Sequence, residues 1–217
     1  EKLLPLAMNF HCRPIRRELK KGIRTVLDIG CGKGLVAGGI REKGIFMVGA
    51  DIFEPDLRTA REKNAHDGHV LADARFLPFR EKSFDAVMCL ELIEHLDKEE
   101  GLRFIRNAEA IAVRKVIIST PVGFLDVNSG ADACGQEKGN PYQHHKGGWE
   151  PGELRALGYK VYYNDYMHRL EKFFADRQST WAWLASAAVF TLLAPLNWLS
   201  PGFGSHLFCV KEIDPVR

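Results

Sequence analysis

The segment Asp28-Ile29-Gly30-Cys31-Gly32-Lys33-Gly34 sets three glycines at alternate positions behind an acid. Glycines in such a run let backbone amides approach a ligand closely, and a helix N-terminus just behind them favours polar groups, so a small-molecule cofactor site is implied. A dinucleotide fingerprint would carry its third glycine at position 35, where Leu35 stands, and this weakens a nicotinamide or flavin reading. Asp28, two residues before the first glycine, suits a cationic amine and opposes a pyrophosphate. Asp51 follows roughly twenty residues beyond Gly30, the separation at which an acid can accept hydrogen bonds from both ribose hydroxyls. These residues describe an anion-averse, ribose-compatible nucleotide site.

The elements that must position them alternate along the chain. Thr25 to Gly30 is a compact apolar run closed by glycine, as expected of a strand buried on both faces of a parallel sheet. A helix is predicted over 35–43, a strand over 46–51, a helix from near Pro55 and a short strand over 69–71. A strand over 84–90, a helix over 98–112 with Phe104, Ile105 and Ala108 on one face, and a strand over 116–118 continue the pattern. With two last strands at 159–163 and 206–213, the fold class is α/β, a doubly wound, mostly parallel seven-stranded sheet. The stretch over 5–21 reads as a short basic helical lead-in interrupted at Pro14. Between 121 and 149 the texture turns to Gly, Asn, Asp and paired histidines, a long loop of the kind that usually carries function.

A chain of 217 residues suits one domain: lead-in 1–21, cofactor-binding core 22–165, apolar helical insertion 166–205, and last strand and tail 206–217. With 46% hydrophobic and 27% charged residues, wholesale disorder and a multi-span membrane protein are excluded. A net charge of +2 gives no electrostatic case for nucleic acid as the default partner. Five scattered cysteines without a C-x-x-C pair indicate neither disulfides nor zinc, and favour a reducing, cytoplasmic setting. The chain opens on Glu1 and reads as trimmed, which leaves an upstream targeting segment open.

Val26 to Gly34, Val48 to Asp51, Asp73 to Phe79 and Phe84 to His95 occur in the order and spacing of class I S-adenosylmethionine-dependent methyltransferases, and the chain most resembles their type-11 members over roughly residues 22 to 165. The resemblance implies a Rossmann-like methyltransferase fold with S-adenosylmethionine as cofactor. It also implies that Asp28 meets the methionine amino group, that the Gly30 and Gly32 backbone packs on the cofactor, and that Asp51, with Ile52 beside it, holds the ribose. Asp73 would bind the adenine amino group, the Ala74 amide would meet the ring, and Leu90 would lie near the methionine end.

Methyl transfer from a sulfonium is an in-line displacement in which alignment supplies most of the rate. A base is needed where the acceptor is a hydroxyl or a protonated amine, and the candidates are His95, His144 and His145, with Glu91 and Glu94. Glu91-x-x-Glu94-His95 also resembles the acid-acid-histidine motif of some metal-assisted O-methyltransferases, although many type-11 members share it without a metal, and no metal is assigned. The segment from Pro141 to Leu154, with His144, His145 and Trp149, follows the fifth strand, where such enzymes place acceptor-binding elements. The expected acceptor is a small molecule, a lipid-linked compound or a saccharide, methylated at oxygen. The alternatives are a catalytically silent cofactor-binding regulatory subunit and an RNA methyltransferase, against which the near-neutral charge counts.

Residues 178–205 form an uncharged, apolar stretch with tryptophans near both ends. A single crossing would leave the last strand on the wrong side of the bilayer, so a helical element is expected instead. Its destinations are a membrane surface at the inner face, a homodimer interface or packed lid, and a hydrophobic anchor.

Overall fold

The computed structural model describes residues 4–20, 22–41, 43–124, 140–164 and 206–214, with side chains from Cys12 onward in the first stretch and up to Tyr162 in the fourth. The insertion assigned to 166–205, and with it the membrane and dimer readings, lies outside the described residues. Among those that are described, no helix is long and apolar enough to cross a membrane.

The elements run α1 (Leu4–Leu19), β1 (Thr25–Ile29), α2 (Leu35–Ile40), β2 (Phe46–Asp51), α3 (Glu54–Glu62), β3 (Gly68–Leu71), β4 (Phe84–Leu90), a 3-10 turn (Ile93–His95), α4 (Lys98–Ile111), β5 (Ala112–Pro121), α5 (Pro151–Ala156), β6 (Lys160–Asn164) and β7 (His206–Glu212). They build one seven-stranded sheet in the order β3-β2-β1-β4-β5-β7-β6. Pairings from β3 through β5 are parallel, and β7 lies antiparallel between β5 and β6. The doubly wound, mostly parallel sheet expected from the alternation is therefore present.

Strand periodicity sorts the core into two layers. Leu27, Ile29, Val87, Cys89, Val116 and Ile118 face α4, whose Phe104, Ile105 and Ala108 are buried against them. Val26, Met47, Ala86, Met88 and Ile117 face the opposite way, onto α1 and α2. Fully burying a side chain such as Phe104 stabilises by about 1.5–3 kcal/mol, which is why an amphipathic α4 holds where its helix propensity alone would not suffice.

Several boundaries differ from expectation. Pro14 does not interrupt α1, which runs unbroken from Leu4 to Leu19. A proline removes one backbone donor and bends a helix, and here the burial of Cys12, Ile15 and Leu19 against the sheet offsets that loss. Helix α2 stops at Ile40 instead of residue 43, because Arg41 turns to an extended conformation after the glycine pair Gly38-Gly39. Strand β5 starts directly off α4 and reaches Pro121, longer than the apolar triplet had indicated. Helix α5 is an addition, although its signals stand in the sequence: Pro151 at the first helical position and a reciprocal capping box between Glu150 and Glu153.

Beneath the sheet Lys115, 1% exposed, places its ammonium 2.7 Å from Glu18 Oε2 of α1 and 3.1 Å from Glu212 Oε1 of β7. A buried charge requires such partners, so this triad ties α1 to the strands.

Candidate functional site

The strand order reverses between β1 and β4, and in open α/β sheets the crevice beyond the carboxyl ends of such strands is where ligands bind. A cleft of about 840 Å³, counting the part open to solvent, lies there. It is lined by the glycine loop with Asp51 and Ile52, by Asp73 to Arg75, by Leu92 and His95, and by Asn140, Tyr142, Gln143 and Lys146.

Gly30, Gly32 and Gly34 have φ of 73°, 49° and 69°, a left-handed geometry that side chains with a Cβ resist. A Cβ on Gly30 would also come within 3.1 Å of Leu92. Asp51 braces this loop: its Oδ2 accepts from the Gly32 amide at 2.8 Å and its Oδ1 from the Phe53 amide at 2.8 Å. Burial nevertheless pushes the Asp51 carboxyl up, against the pull of those two amides.

Of the cofactor residues expected from the sequence, Gly30, Gly32, Asp51, Ile52, Asp73 and Ala74 line the cleft. Asp28 is not among the lining residues. Its side chain is buried on the Val26 face of β1, and Oδ2 lies 2.9 Å from Nε2 of the enclosed His66. Leu90, on the same face of β4 as Met88, packs against the buried layer under α1 and α2. Leu92, two residues on, lines the cleft and lies against Gly30.

Asp73 is held by Arg75, whose Nη2 donates to Oδ2 at 2.6 Å and whose backbone amide donates to Oδ1 at 2.9 Å. That guanidinium keeps the Asp73 carboxyl below its ordinary range and also reaches Glu100 Oε1 at 3.3 Å. Glu100, at the start of α4, has no local sequence signal for a site role; only the α4 position beside the loop after β3 brings it there.

At the end of β4, Glu91 takes φ 53°, a strained value for a non-glycine residue that re-aims the chain into the cleft. Its Oε1 accepts from the Ser119 hydroxyl at 2.6 Å and its Oε2 lies 3.3 Å from His206 Nε2. Glu94, 2% exposed, accepts from the Thr120 hydroxyl at 3.0 Å. Burial, reinforced by the charge of Glu91, pushes the Glu94 carboxyl well up.

His95 lines the cleft with Nδ1 3.3 Å from the His144 carbonyl. Only a protonated Nδ1 can donate to that oxygen, so this contact leaves Nε2 as the acceptor. Burial lowers the His95 imidazole from its usual range, the His144 carbonyl opposing. His145 packs edge-on at 5.0 Å between ring centroids. His144 itself has an exposed side chain, and the atom it offers His95 is its backbone oxygen. Glu94, His95 and His145 present ligand atoms all within 4.8 Å of one another. One carboxylate and two imidazoles form a donor set compatible with a divalent transition metal. This convergence of residues some fifty positions apart was not legible from spacing.

Comparison with known proteins agrees with this fold. Residues 27–113 match a family model described as a methyltransferase domain. A ubiquinone biosynthesis O-methyltransferase of Idiomarina loihiensis is 35% identical over 84 residues, covering 36% of this chain and 35% of that one. One of Bordetella parapertussis is 31% identical over 121 residues, covering 50% and 49%. The matches thus span about a third to a half of these relatives' length. Among solved structures, a SAM-dependent methyltransferase of Archaeoglobus fulgidus superposes with a TM-score of 0.58 at 19% identity over 98% of this chain and 100% of that one. The magnesium protoporphyrin IX methyltransferase of Synechocystis, with SAH bound, gives 0.57 at 16% identity over 96% and 84%. At such identities the likeness is one of fold.

Proposed function

We infer the activity from one premise, that the chain belongs through residues 27–113 to the class I, type-11 methyltransferases: the protein is an enzyme that binds S-adenosylmethionine in the cleft and transfers its methyl group to the oxygen of a small-molecule acceptor. The observation that carries this reading is the composition of the cleft, which Gly30, Gly32, Asp51, Asp73, Ala74 and His95 all line. Asp51 would take the ribose hydroxyls, Asp73 the adenine amino group, and the loop amides the methionine end.

In the step itself the acceptor oxygen forms a bond to the methyl carbon as the carbon–sulfur bond breaks, and the acceptor proton passes to His95 Nε2. The sulfonium charge is lost with S-adenosylhomocysteine as product, so orientation matters more than charge stabilisation. A second reading is favoured by the convergence of Glu94, His95 and His145. These three would hold a divalent cation, which when bound would act as a Lewis acid and acidify the acceptor hydroxyl. Dialysis against a chelator separates the two: unchanged turnover leaves His95 as the base, whereas a loss restored by added divalent cation assigns the histidines to the metal.

Binding comes first. Calorimetry is expected to give saturable binding of S-adenosylmethionine and S-adenosylhomocysteine, and Asp51→Ala is expected to weaken both by about 1–3 kcal/mol, since charged hydrogen bonds to ligand and loop are lost. Absence of saturable binding, or tighter binding of a nicotinamide dinucleotide, overturns the assignment, and an unchanged Asp51→Ala affinity removes Asp51 from the ribose site.

A further inference from the structure

The glycine loop has few side chains of its own to hold it. Gly30, Gly32 and Gly34 take left-handed φ and offer no side chain, so packing can fix the run only through Cys31, Lys33 and the backbone. The connection between α3 and β3 supplies a support from below. A Cβ on Gly34 would collide with Ala65 Cβ, so the last glycine of the loop lies directly on that connection. The next residue, His66, has a fully enclosed side chain. Its backbone is pinned on both sides, since the Ala65 amide donates to the Ala60 carbonyl at 3.0 Å and the Asp67 amide to the Met47 carbonyl at 2.7 Å.

The His66 ring stands over a row of the sheet in which Asp28, Gly49 and His69 are register partners on β1, β2 and β3. A Cβ on the central Gly49 would approach His66 Nδ1 to 2.8 Å and Cys31 Sγ to 2.9 Å, so the ring and the thiol of the loop pack over the same bare position. Asp28 flanks the ring on one side, with Oδ2 2.9 Å from Nε2, and His69 meets it edge-on from the other, 5.4 Å between ring centroids. A carboxylate only accepts, so Nε2 carries the proton and the bond is charge-assisted. Among the described residues Nδ1 has no hydrogen-bond partner, so the hydrogen bonding that orients the ring comes from Asp28.

Resting on the methyltransferase reading above, we propose that Asp28 and His66 are positioning residues for the cofactor: the carboxylate holds the imidazole as a buttress beneath Cys31, and so keeps Gly30 and Gly32 on the path along which they line the cleft. In this assignment Asp28 acts from beneath the loop, through His66, and not by contact with the methionine amine. The other brace, Asp51 on the Gly32 amide, belongs to the ribose end, so loss of the buttress is felt most at the methionine end.

Calorimetry on the full chain tests this with two probes, S-adenosylhomocysteine and 5′-methylthioadenosine, which lacks the amino-acid end; each variant is measured below its own unfolding transition. His66→Phe, which keeps a ring and loses the donor, is expected to weaken S-adenosylhomocysteine about tenfold, the worth of one charge-assisted hydrogen bond, and 5′-methylthioadenosine distinctly less. His66→Gln, whose amide reaches the Nε2 position, is expected to recover most of the loss. Asp28→Asn, which leaves an oxygen for the ring, is expected to lose less than Asp28→Leu, and the losses of Asp28→Leu and His66→Phe are expected not to add in the double variant. A His66→Phe protein that is less stable yet binds S-adenosylhomocysteine as the unaltered chain does overturns the proposal, by making the pair a core contact only. Equal losses for the two probes overturn it as well. Should His66→Phe not fold, the Asp28 variants decide: a loss in Asp28→Asn as large as that in Asp28→Leu assigns the carboxylate to the amine and overturns the role of the ring. Failure of the unaltered chain to bind S-adenosylhomocysteine is a different result, which removes the methyltransferase reading itself.

Discussion

Replacing His95 with alanine is expected to lower kcat by about 10²–10⁴-fold, the range a positioned proton acceptor supplies, while cofactor affinity stays close to that of the unaltered protein. The separation follows from where the residue stands. The wall assigned to the cofactor is built by the glycine loop, Asp51 and Asp73, whose hydrogen bonds run to the Gly32, Phe53 and Arg75 amides, whereas His95 belongs to the turn after β4 and bonds the His144 carbonyl. Its Nδ1 is committed to the His144 carbonyl, so Nε2 is the nitrogen able to take a proton from an acceptor hydroxyl. His95→Gln, which restores an amide of similar reach but no base, is expected to recover little activity. The side chain of His144 contributes no atom to that contact, so His144→Ala is expected to fall by less than about tenfold, provided the loop keeps its path. Single-turnover measurements with saturating cofactor check these expectations. A His95→Ala protein that turns over within a few fold of the original, or one that loses cofactor affinity in proportion to rate, contradicts the role assigned to the ring.

Local and long-range information divide unevenly between fold and site. Strands β1, β2 and β4 were legible because parallel strands buried on both faces read as continuous apolar runs, and their bounds follow those runs closely. The glycine loop and Asp51 were legible for the same kind of reason, since each sits at the end of its strand and needs no distant partner to be placed. Asp28 shows where such reading stops. Its type suits an amine ligand, but strand alternation turns it to the Val26 face, where His66 from the α3–β3 connection meets it; no feature of residues 28 or 66 taken singly announces that pairing. Leu90 and Leu92 differ in the same way, for two residues of chain and the left-handed turn at Glu91 decide which leucine reaches the loop. The wall proposed to carry the base is the least local part. His95 and His144 are 49 residues apart, and what joins them is the packing of Trp149 and the amides of Lys146 and Gly147 on the Glu94 carbonyl.

That packing makes Trp149 the residue on which the wall depends, and Trp149→Ala is expected to destabilise the fold by about 3–5 kcal/mol, the usual cost of removing a large aromatic side chain from a core. The indole is fully buried, donates from Nε1 to the Ile93 carbonyl at 3.2 Å, and carries the Lys98 ammonium 3.9 Å above its ring. Gly101 of α4 is the counterpart, because a Cβ there would approach the indole to 2.6 Å, and only a glycine leaves the ring room to lie against the helix. Truncation therefore opens a cavity between α4 and the 3-10 turn and leaves the Ile93 carbonyl with only the long 3.4 Å bond from the Leu96 amide. Lys98 keeps its bonds to the Gly148 carbonyl and to Glu153, both at 2.7 Å, so the segment stays tethered at one point while its support under His95 is lost. Urea denaturation measures the stability change. Below the transition, where the variant is still folded, turnover is expected to fall more than cofactor affinity, because the indole supports the turn at Ile93 while the glycine loop is braced by Asp51. A stability loss under about 1 kcal/mol, or equal losses in cofactor affinity and rate, would show that the wall is held by something other than the indole.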